Sequence, residues 1–537
     1  MKGDLRSQLA HLAVYGLYVQ GAIGDVSPYF RSEAYAQGQL GAWPHQTYKS
    51  SPALGPILNI QKNHPTCQES PDHLILLAPW GSEVTQPGPM ILDPQGHLVW
   101  NEPTKYGKTW ALDVRIFNHE PYLSFWADKN QGTENGAWYL LNSTYDEVHS
   151  IRPGNGWITD DHDLDLTVKG TAVLMVNLEI PFDLRPVGGP KNGWLRDNGF
   201  QEVDVETGEV LFQWSAAHHW ELWEGYHRFP EGWGQDPEHA FDAFVMNSVH
   251  MDQHGNYLAS SRHMSSIVYI DGQTGDVLWK LGGKLNDFTD LSPGGTHNAT
   301  VFNGQHHARL LDMPGTSSSN TLLMTIFDNG FGAQDEAHPT SGKIIELDVA
   351  QKTARLLHAP YQHPDRWIMT ESRGSLQLLP NGNRLLGYGA VAAWAEFSPE
   401  GQMLCDVHFA PESRFNTEEA FSYRVLKKPW VGQPRDGPSA VILEDGRLYA
   451  SWNGATEVTS WELQALPYHS GHRREETFLS LGSTDKSGFE TAIQLPEELD
   501  INYYRVVGRS RQGEALGVSE LVRGLALTLK PALVVQP

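Results

Sequence analysis

The sequence of 537 residues is poor in cysteine and in positive charge. It has two cysteines, Cys67 and Cys405, and 39 lysines and arginines against 64 acidic residues, for a formal net charge of -25. A field of this sign repels nucleic acid and anionic membrane surfaces, and it does not favour a strongly anionic substrate. Without a CxxC pair or Cys/His zinc spacing, the two cysteines either form one disulfide or remain buried thiols.

The sequence also lacks long apolar runs and several motifs of nucleotide and hydrolase chemistry. No run is long and apolar enough to span a bilayer. There is no glycine-rich phosphate loop, no serine in a nucleophile elbow and no dinucleotide fingerprint. We therefore expect no stable membrane insertion, no nucleic-acid partner, no cofactor and no metal.

The N-terminal segment has two interpretations. Lys2 and Arg6 precede residues 9–23, a moderately apolar stretch that is either a weak signal peptide or a short amphipathic helix. Two sequons predict N-glycosylation, at Asn142 and Asn298. A signal peptide would place the protein in the secretory pathway or outside the cell, and a helix would leave it in the cytoplasm.

Turn-forming residues are abundant, with 52 glycines and 33 prolines, which favours many short strands. One hairpin signature recurs: Asp204-Val-Glu-Thr-Gly-Glu-Val-Leu-Phe-Gln-Trp214 is closely repeated by Asp271-Gly-Gln-Thr-Gly-Asp-Val-Leu-Trp279. Weaker copies start at residues 93, 142, 348 and 398. Six copies of a turn followed by an alternating strand predict an all-β fold, a six-bladed β-propeller.

The repeats also predict a domain organisation. We expect a lead-in segment over residues 1–54, the propeller over 55–460 and a small β-sandwich-like domain over 461–537, where strands alternate without the propeller turn. Segments that start at Gly170, Gly255, Asn320 and Gly382 follow polar turns and are predicted to be inner strands. Residues at the ends of such strands would reach a central pocket.

Several motifs occur in order between about residues 55 and 460. They include Phe200-Gln-Glu-Val-Asp204, Asn247-Ser-Val249, Ser261-Arg-His263, Gln305-His-His-Ala-Arg309, Phe327-Asp-Asn329 and Ser451-Trp-Asn-Gly454. Together they resemble the arylsulfotransferase-like family, in its fungal branch. The resemblance implies a six-bladed propeller, in agreement with the count of hairpins.

The resemblance does not carry over completely to sulfuryl transfer, which needs a histidine nucleophile and cationic donors for the sulfonate oxygens. Typical members have a histidine two residues before the Asn-Ser pair, where this chain has Val245. They often have an arginine where this chain has Ser341, and no histidine lies within residues 387–397. The pocket would thus have lost cationic and nucleophilic parts.

The fungal branch is also similar to hetero-Diels–Alderases of tropolone–sesquiterpenoid pathways, which join a polyene such as humulene to a quinone methide. Such a cycloaddition needs no metal and no covalent intermediate. It needs a shaped pocket with aromatic walls and one or two hydrogen-bond donors for the carbonyl of the oxadiene. The substrates implied are hydrophobic and phenolic small molecules.

Four residues are the candidate catalytic groups. His162, in Asp160-Asp-His-Asp163, is a donor or general base that an acid orients, although a structural ion pair or a calcium site would also explain it. Arg262 is the expected donor, with His263 pointing to the opposite side. His306 is favoured over His307 for the pocket, and a structural role for either remains open.

Further residues are predicted to bind substrate, each with a structural alternative. Asn329 and Asp328 would orient a histidine or close a turn, and the aromatic residues would be pocket walls or core. The predicted set is Asn247, Gln305, Asp328, Asn329, Tyr388, Trp394 and Trp452.

Three functions follow from this pattern. The leading hypothesis is a cofactor-free hetero-Diels–Alderase of fungal secondary metabolism. The second is an aryl-sulfate sulfotransferase that uses His306 or His263 as nucleophile. The third is a propeller that binds a ligand without catalysis.

Overall fold

The computed structural model describes residues 24–68, 73–129, 136–293, 299–311, 321–332, 337–467, 478–496 and 501–524, in which most of the regular secondary structure is β-strand. Two short α-helices, α1 (Glu33–Ala36) and α2 (Pro103–Tyr106), begin where Ser32 and Glu102 accept hydrogen bonds from the first backbone N–H groups. Within the described ranges, no helix is long and apolar enough to cross a membrane.

Most strands belong to six sheets, which are numbered here in chain order and are antiparallel except where β1 pairs with β4 and β20 with β24. Before the first sheet the chain forms β1 (Tyr29–Phe30), β2 (His45–Thr47), β3 (Leu54–Pro56) and β4 (Asn59–Lys62). Sheet 1 contains β5 (His73–Trp80), β6 (Met90–Leu92) and β7 (Leu98–Asn101). Sheet 2 contains β8 (Thr109–Phe117), β9 (Glu120–Ala127), β10 (Ala137–Leu141) and β11 (Glu147–Ile151). Sheet 3 contains β12 (Ile158–Leu166), β13 (Thr171–Phe182), β14 (Gly193–Asp204) and β15 (Val210–Ser215).

The second half of the chain continues the series. Sheet 4 contains β16 (Met246–Met251), β17 (Tyr257–Ser261), β18 (Ser266–Ile270) and β19 (Val277–Gly282). Sheet 5 contains β20 (Thr289–Asp290), β21 (His306–Leu310), β22 (Thr321–Asp328), β23 (Ser341–Asp348), β24 (Thr353–Leu356) and β25 (Tyr361–Gln362). Sheet 6 contains β26 (Ser375–Leu378), β27 (Arg384–Gly387), β28 (Ala393–Phe397) and β29 (Met403–His408), with β4 and β1 added beside β29. The next strand, β30 (Phe421–Pro429), returns to sheet 1 and pairs with β5.

The recurring hairpin signature marks one turn in each of the six sheets. Every copy lies between the third and the fourth strand of its sheet, when β30 is counted as the first strand of sheet 1 and β21 as the first strand of sheet 5. In the best copy, Asp271 accepts hydrogen bonds from the N–H groups of Gln273 and Thr274, and Gly275 has a φ of +79°. The signature therefore specifies a tight turn locally, because a side-chain acceptor and a residue in the left-handed region close the same turn.

The aromatic residue that ends the signature packs against the following sheet. Trp214 of β15 donates a hydrogen bond to the carbonyl of Gly275, and its ring stacks near Phe200 at 5.7 Å between centroids. Tyr257 of sheet 4 contacts the same Phe200 ring at 4.7 Å. Burying each such side chain contributes about 1.5–3 kcal/mol, so the repeat also specifies the apolar contact between neighbouring sheets.

The first strands of the six sheets, rather than the second, contact one another. The contacts run from β30 to β8, β12, β16, β21 and β26, and β26 in turn contacts β30. The segments that start at Gly170, Gly255, Asn320 and Gly382 are or contain second strands, so their prediction as inner strands is wrong by one strand. Their continuous apolar runs reflect burial on both faces of the sheet, which any central strand experiences.

Bulges interrupt the pairing of the first strands. Five of them, β8, β12, β16, β21 and β30, show a register shift against the second strand of their sheet. A bulge re-aims the side chains that follow it. The prediction that adjacent residues point to opposite faces assumes a regular strand. The bulges break this alternation for the polar residues of the first strands.

The compact units do not follow the boundaries predicted at residues 54 and 460. One unit comprises Pro28–Pro44 and Leu58–Gly432, and contains the six sheets. The other comprises residues 24–27, His45–Ile57 and the described residues from Gln433 onwards. Its strands are β2, β3, β31 (Ser439–Ile442), β32 (Arg447–Ser451), β33 (Ser460–Pro467), β34 (Leu479–Asp485), β35 (Glu490–Gln494), β36 (Ile501–Arg509), β37 (Ala515–Val518) and β38 (Val522–Arg523).

Trp452 belongs to this second unit and does not close the series of sheets. Its ring is buried, and a Cβ on Gly517 would lie 2.3 Å from it. The sequence motif around Trp452 looks like a last repeat, but β30 already supplies the strand that completes sheet 1. Trp452 is instead a core residue of the smaller unit.

The two cysteines form a disulfide within the larger unit. Cys67 follows β4, and Cys405 lies on β29, 338 residues further along the chain. The bond fastens the segment that precedes sheet 1 to sheet 6. Loss of such a cross-link destabilises a protein mainly by releasing conformational entropy in the unfolded chain.

We expect Cys405→Ser to lower the free energy of unfolding by roughly 2–5 kcal/mol. Guanidinium titration without reductant measures the change, and the matched control is reduced wild-type protein, which should lose a similar amount while the variant shows no response to reductant. Equal stability of oxidised wild type and variant would contradict a stabilising role for the bond.

Candidate functional site

A cleft of about 440 Å³ opens at the ends of strands from sheets 2 and 3, and we call it the acidic cleft. Its walls come from β9, β12, β13 and β14 and from loops before β8 and β16. The residues that line it are Lys108, Trp126, Asp128, Ile158, Thr159, Asp160, Asp161, His162, Asn177, Glu179, Arg196 and Asp242. Five carboxyl groups face three basic side chains, so the cleft is an environment of net negative charge.

His162 is the candidate catalytic residue that lies in this cleft. Its Nδ1 donates to Asp160 Oδ1 at 2.6 Å and lies 3.3 Å from Asp161 Oδ1. Among the described residues, no group hydrogen-bonds to Nε2, which leaves that N–H for a ligand. The bulge of β12 places three consecutive polar side chains, Asp160 to His162, on the cleft wall.

The charge of His162 is set by its two carboxylate neighbours. Burial disfavours an imidazolium, but Asp160 and then Asp161 outweigh burial and raise the pKa of His162 to about 9. The pKa of Asp160 is lowered despite burial, because His162 and Asn177 stabilise its carboxylate. His162 is therefore a cation with a fixed ring orientation at neutral pH.

A chain of amides holds the Asp160 carboxylate. Asn177 donates from Nδ2 to Asp160 Oδ2 at 2.8 Å, and Asn198 donates from Nδ2 to Asn177 Oδ1 at 2.6 Å. Asn177 on β13 and Asn198 on β14 are opposite each other in the sheet. This amide relay runs across sheet 3. It holds the Asp160 carboxylate in place, and Asp160 in turn fixes the orientation of the His162 ring.

One wall of the cleft combines a cation with indole rings. Lys108 Nζ lies 4.8 Å, 5.5 Å and 6.0 Å from the ring centroids of Trp110, Trp126 and Trp80. Its other neighbour is Asp161 Oδ2, at 3.5 Å. These distances are within the range of cation–π attraction, so Lys108 is held against the aromatic wall.

Asp242 faces His162 from the loop before β16. Burial raises the pKa of Asp242 to about 6, although the nearby charge of Arg196 opposes the rise. Its Oδ1 accepts a hydrogen bond from Val245 N at 3.2 Å. Val245 has a φ of +44°, which is strained for a β-branched residue.

Arg262 and His263 lie just beyond the end of β17, as expected. Arg262 donates to the carbonyl of Glu371 from Nη2 at 2.6 Å, and burial followed by the charge of Arg373 lowers its pKa. His263 donates from Nδ1 to the carbonyl of Asp242 at 3.0 Å and stacks on His227 at 4.1 Å. Burial, His227 and Arg262 lower the pKa of His263 to about 3, so this ring is neutral.

His306 is buried with both ring nitrogens engaged. Nδ1 donates to the carbonyl of Gly304 and to Asn329 Oδ1, both at 2.8 Å, and the N–H of Arg373 donates to Nε2 at 3.1 Å. Burial and the charge of Arg262 hold its pKa well below the usual value. Asn329 orients this histidine, one of the two roles considered for it, and the lone pair that a nucleophile needs is occupied.

Gly304 is required where it stands beside His306. Its φ is +62°, and a Cβ there would lie 2.3 Å from the carbonyl oxygen of Phe331. His307 has a φ of +53° and donates from Nδ1 to the carbonyl of Leu376. The bulge of β21 therefore buries both adjacent histidines, whereas simple alternation predicts that they point to opposite faces.

Most of the predicted substrate-binding residues are buried in hydrogen-bonded or apolar surroundings instead of lining the acidic cleft. Asn247 donates to the carbonyl of Gln305, and Gln305 donates to Ser260 Oγ. Asp328 receives Lys343 Nζ and His338 Nε2, both at 2.8 Å. The one-strand error explains only Asp328, which lies on the second strand β22. Asn247 and Gln305 lie on or directly before the first strands β16 and β21 and are buried in their own hydrogen bonds.

The aromatic residues predicted to be pocket walls are also buried away from the acidic cleft. Tyr388 packs against Phe327 in the core between sheets 5 and 6. Trp394 stacks on Phe409 and lines a small cavity of about 30 Å³ beside the disulfide. Lys108, Trp126 and Asp242 also line the acidic cleft but were not predicted from the sequence. Lys108 and Asp242 lie in polar loops before first strands, which was the available signal, whereas Trp126 lies on the second strand β9.

The three side chains Asp160, Asp161 and His162 offer ligand atoms that lie within 4.8 Å of one another. Calcium takes about six to eight oxygen ligands, and these groups supply few of them. The hydrogen bond between Asp160 and His162 accounts for their proximity without a metal. The geometry of these residues alone does not build a calcium site.

The fold and the site define an all-β protein with a charged cleft at the ends of successive four-stranded sheets. A family model described as arylsulfotransferase (ASST) matches residues 114–410, more than half of the chain. The chain belongs to the arylsulfotransferase family. A search of curated proteins returned no match.

Solved structures show only distant likeness. A protein of unknown function from Bacteroides caccae is 14% identical, with 67% of this chain and 99% of that chain covered and a TM-score of 0.37. The GH43 protein BlXynB from Bacillus licheniformis is 10% identical, with 80% and 91% covered and a TM-score of 0.31. A putative 6-phosphogluconolactonase from Bacteroides fragilis is 12% identical, with 79% and 98% covered and a TM-score of 0.27. At these scores the likenesses carry no argument.

We expect Asp160→Asn to lower the pKa of His162 by at least about one unit, equivalent to ~1.4 kcal/mol, because the strongest anionic partner is lost. Titration of the ring protons or nitrogens by NMR between pH 5 and 10 measures the shift. Asp236→Asn is the matched control, since Asp236 pairs with the exposed His239 at 2.8 Å. An unchanged titration of His162 in Asp160→Asn would contradict the assigned ion pair.

Proposed function

We propose that this protein is an enzyme that activates the carbonyl group of an uncharged substrate by a hydrogen bond from the imidazolium of His162. The concrete reaction is an intermolecular hetero-Diels–Alder cycloaddition between a quinone methide, as in tropolone pathways, and the alkene of a sesquiterpene such as humulene. The observation that carries the proposal is the His162 Nε2–H group, which faces the acidic cleft while Nδ1 is bound to Asp160. In this proposal the six sheets are the blades of a propeller.

Hydrogen-bond donation from a fixed cation suits this chemistry. As the oxadiene reacts, negative charge develops on its carbonyl oxygen, and a preorganised donor stabilises that charge without reorganisation. Asp160 and the Asn177–Asn198 relay hold the donor in one orientation. Bringing both reactants into one cleft would supply a further ~7–11 kcal/mol of barrier lowering if the geometry is that of a near-attack complex.

The walls of the cleft favour uncharged, planar substrates over anionic ones. Trp126 and Lys108 line the cleft, and Lys108 Nζ lies within 6.0 Å of the ring centroids of Trp80, Trp110 and Trp126, which makes this side of the cleft aromatic. Five carboxyl groups line the same cleft. An aryl sulfate would have to enter this field against electrostatic repulsion.

Aryl-sulfate sulfotransfer is the second candidate, because family membership favours it. Its difficulty is the nucleophile. The Nε2 lone pair of His306 already accepts a hydrogen bond from Arg373 N, and Val245 occupies the position expected for a histidine. His162 is protonated at neutral pH, which removes its nucleophilic lone pair.

A paired turnover assay tests the proposal. We expect stereoselective adduct formation from humulene and a tropolone quinone-methide precursor, and a loss of roughly 10²–10³-fold in kcat for His162→Gln, because one oxyanion donor is removed. The adduct rate should fall as the pH rises through about 9, since the folded-state pKa of His162 is raised and the donor is lost above it. Exposed His239→Gln is the control and should keep wild-type kinetics.

The second arm of the assay contains p-nitrophenyl sulfate and a phenol acceptor. Acceptor-dependent release of nitrophenol that His306→Gln abolishes would overturn the cycloaddition proposal in favour of sulfotransfer. Silence in both arms, with binding of a phenolic ligand by calorimetry, would favour a non-catalytic binding protein.

We propose that the protein enters the secretory pathway. The Cys67–Cys405 disulfide favours an oxidising compartment. At the Asn142 sequon, Oδ1 accepts from Thr144 N and Asp146 N, while Nδ2, the atom that carries a glycan, makes no hydrogen bond among the described residues. Asn298 lies outside the described residues.

We expect protein from a eukaryotic secretory host to shift in mass on glycosidase treatment, and Asn142→Gln to abolish that part of the shift, because the acceptor nitrogen is lost. Mass spectrometry of the 136–152 peptide measures the occupancy. Thr144→Ala should have the same effect, and an unmodified peptide from secreted wild-type protein would contradict glycosylation at Asn142.

A further inference from the structure

A second group of charges lies on the first strands, separate from the acidic cleft, and we call it the charged cluster. Its cations are Arg115, Arg309, Arg424 and Lys428, and its anions are Asp113, Asp163 and Asp165. They come from β8, β12, β21 and β30, which belong to four different sheets.

Asp163 is the centre of the charged cluster and is completely buried. Arg309 Nη2 and Arg424 Nη1 donate to its two oxygens at 2.7 Å and 2.9 Å. The N–H of Val249 donates to Oδ2 at 3.0 Å. With both oxygens occupied, Asp163 has little capacity left for Arg115, whose Nη2 is 3.7 Å from Oδ1.

Several guanidinium N–H groups of the charged cluster are buried without an acceptor in the described part of the chain. They are Nε of Arg115, Nε of Arg424 and Nη2 of Arg115, which makes no hydrogen bond although it lies 3.5 Å from Asp113 Oδ2 and 3.7 Å from Asp163 Oδ1. The Arg424 side chain is only 1% exposed. Buried donors of this kind are rare, and each unmade hydrogen bond to a charged group is costly.

The charges of the cluster do not balance. Four cations face three anions, which leaves one positive charge in excess. Arg115 Nη1 lies 3.5 Å from Asp165 Oδ1, and Lys428 lies 3.2 Å from Asp113 Oδ1. The neighbouring His307 adds no charge, because burial and then Arg424 hold its pKa well below the usual value. Lys428 is the most exposed of the four cations, at 30%, so solvent screens part of this excess, whereas Arg115 and Arg424 are held inside the cluster.

We propose that the charged cluster binds one small monovalent anion of the halide class, with chloride as the physiological ion. The orphaned N–H groups of Arg115 and Arg424 are its hydrogen-bond donors, and the excess positive charge is what it neutralises. The site would be structural, because it joins strands from sheets 1, 2, 3 and 5. Solvent has access at one end, where the Lys428 side chain is 30% exposed.

The direct test is a crystal of the full chain soaked in sodium bromide. Bromide replaces chloride in most halide sites and gives an anomalous signal at its absorption edge. We expect an anomalous peak in direct contact with the orphaned nitrogens of both Arg115 and Arg424, because charged guanidinium N–H groups are strong donors to an anion. Anomalous peaks at surface positions alone would overturn the proposal.

Thermal unfolding gives an independent readout in solution. At equal ionic strength, wild-type protein should melt at least ~2 °C higher in sodium chloride than in sodium gluconate, because a ligand that binds only the folded state raises Tm. Equal Tm values in the two salts would also overturn the proposal.

Two substitutions change the charge balance in opposite directions. Arg115→Gln removes the excess cation and should abolish the difference between the salts. Asp113→Asn removes an anion and should enlarge the difference. Arg185→Gln is the control, because Arg185 forms an exposed pair with Asp183, and it should keep the wild-type difference. If Arg115→Gln does not fold, Asp113→Asn alone tests the proposal. A smaller Tm difference between the two salts in Asp113→Asn than in wild-type protein would contradict it.

Discussion

One buried carboxylate, that of Asp163, joins the first strands of five of the six sheets. It lies on β12 of sheet 3, accepts hydrogen bonds from Arg309 of sheet 5 and Arg424 of sheet 1, and receives the Val249 N–H of sheet 4. Arg115 of sheet 2 completes the set as an ion pair. Removing one partner from a buried pair costs about 3–5 kcal/mol, so this carboxylate is a constraint that none of the five sheets can change alone.

The same strand carries the candidate catalytic group. His162 precedes Asp163, and the bulge of β12 directs the histidine to the acidic cleft and the aspartate to the charged cluster. The buried carboxylate of Asp163 and the imidazolium of His162 therefore belong to adjacent residues of one strand. Fixing Asp163 from four neighbouring sheets also fixes the strand that presents His162, which is how a β-fold can preorganise a hydrogen-bond donor.

Local features of the fold were predictable from the sequence, whereas long-range electrostatics were not. The hairpin signature at Asp204 and Asp271 indicated one turn per sheet, because its acceptor, glycine and tryptophan lie within eleven residues. His162 was identified because its acidic neighbours are adjacent in sequence and because the family that the sequence resembles keeps a histidine at this place in the motif. The partners of Asp163 are distant, since Arg424 lies 261 residues further along the chain. Nothing in the local pattern distinguishes such an arginine from a surface cation.

Bulges explain most of the remaining differences at the site. Alternation along a strand assigned one of two adjacent histidines to a pocket, but a residue in the left-handed region at His307 breaks that alternation. The bulge leaves no separate trace in the sequence, because the partners of these histidines are distant: Arg373 N donates to His306 Nε2, and His307 Nδ1 donates to the carbonyl of Leu376. The sequence alone does not distinguish a histidine whose ring nitrogens are hydrogen-bonded from one that is free to react.

Donation of the His162 Nε2–H to the carbonyl oxygen of an uncharged substrate in the acidic cleft is open to direct observation in a crystal structure of the protein with a bound tropolone. We expect the carbonyl oxygen about 2.7–3.0 Å from His162 Nε2, with the ring beside Trp126 and Lys108. A tropolone bound elsewhere, or an aryl sulfate seated on Arg262 with His162 untouched, would contradict it.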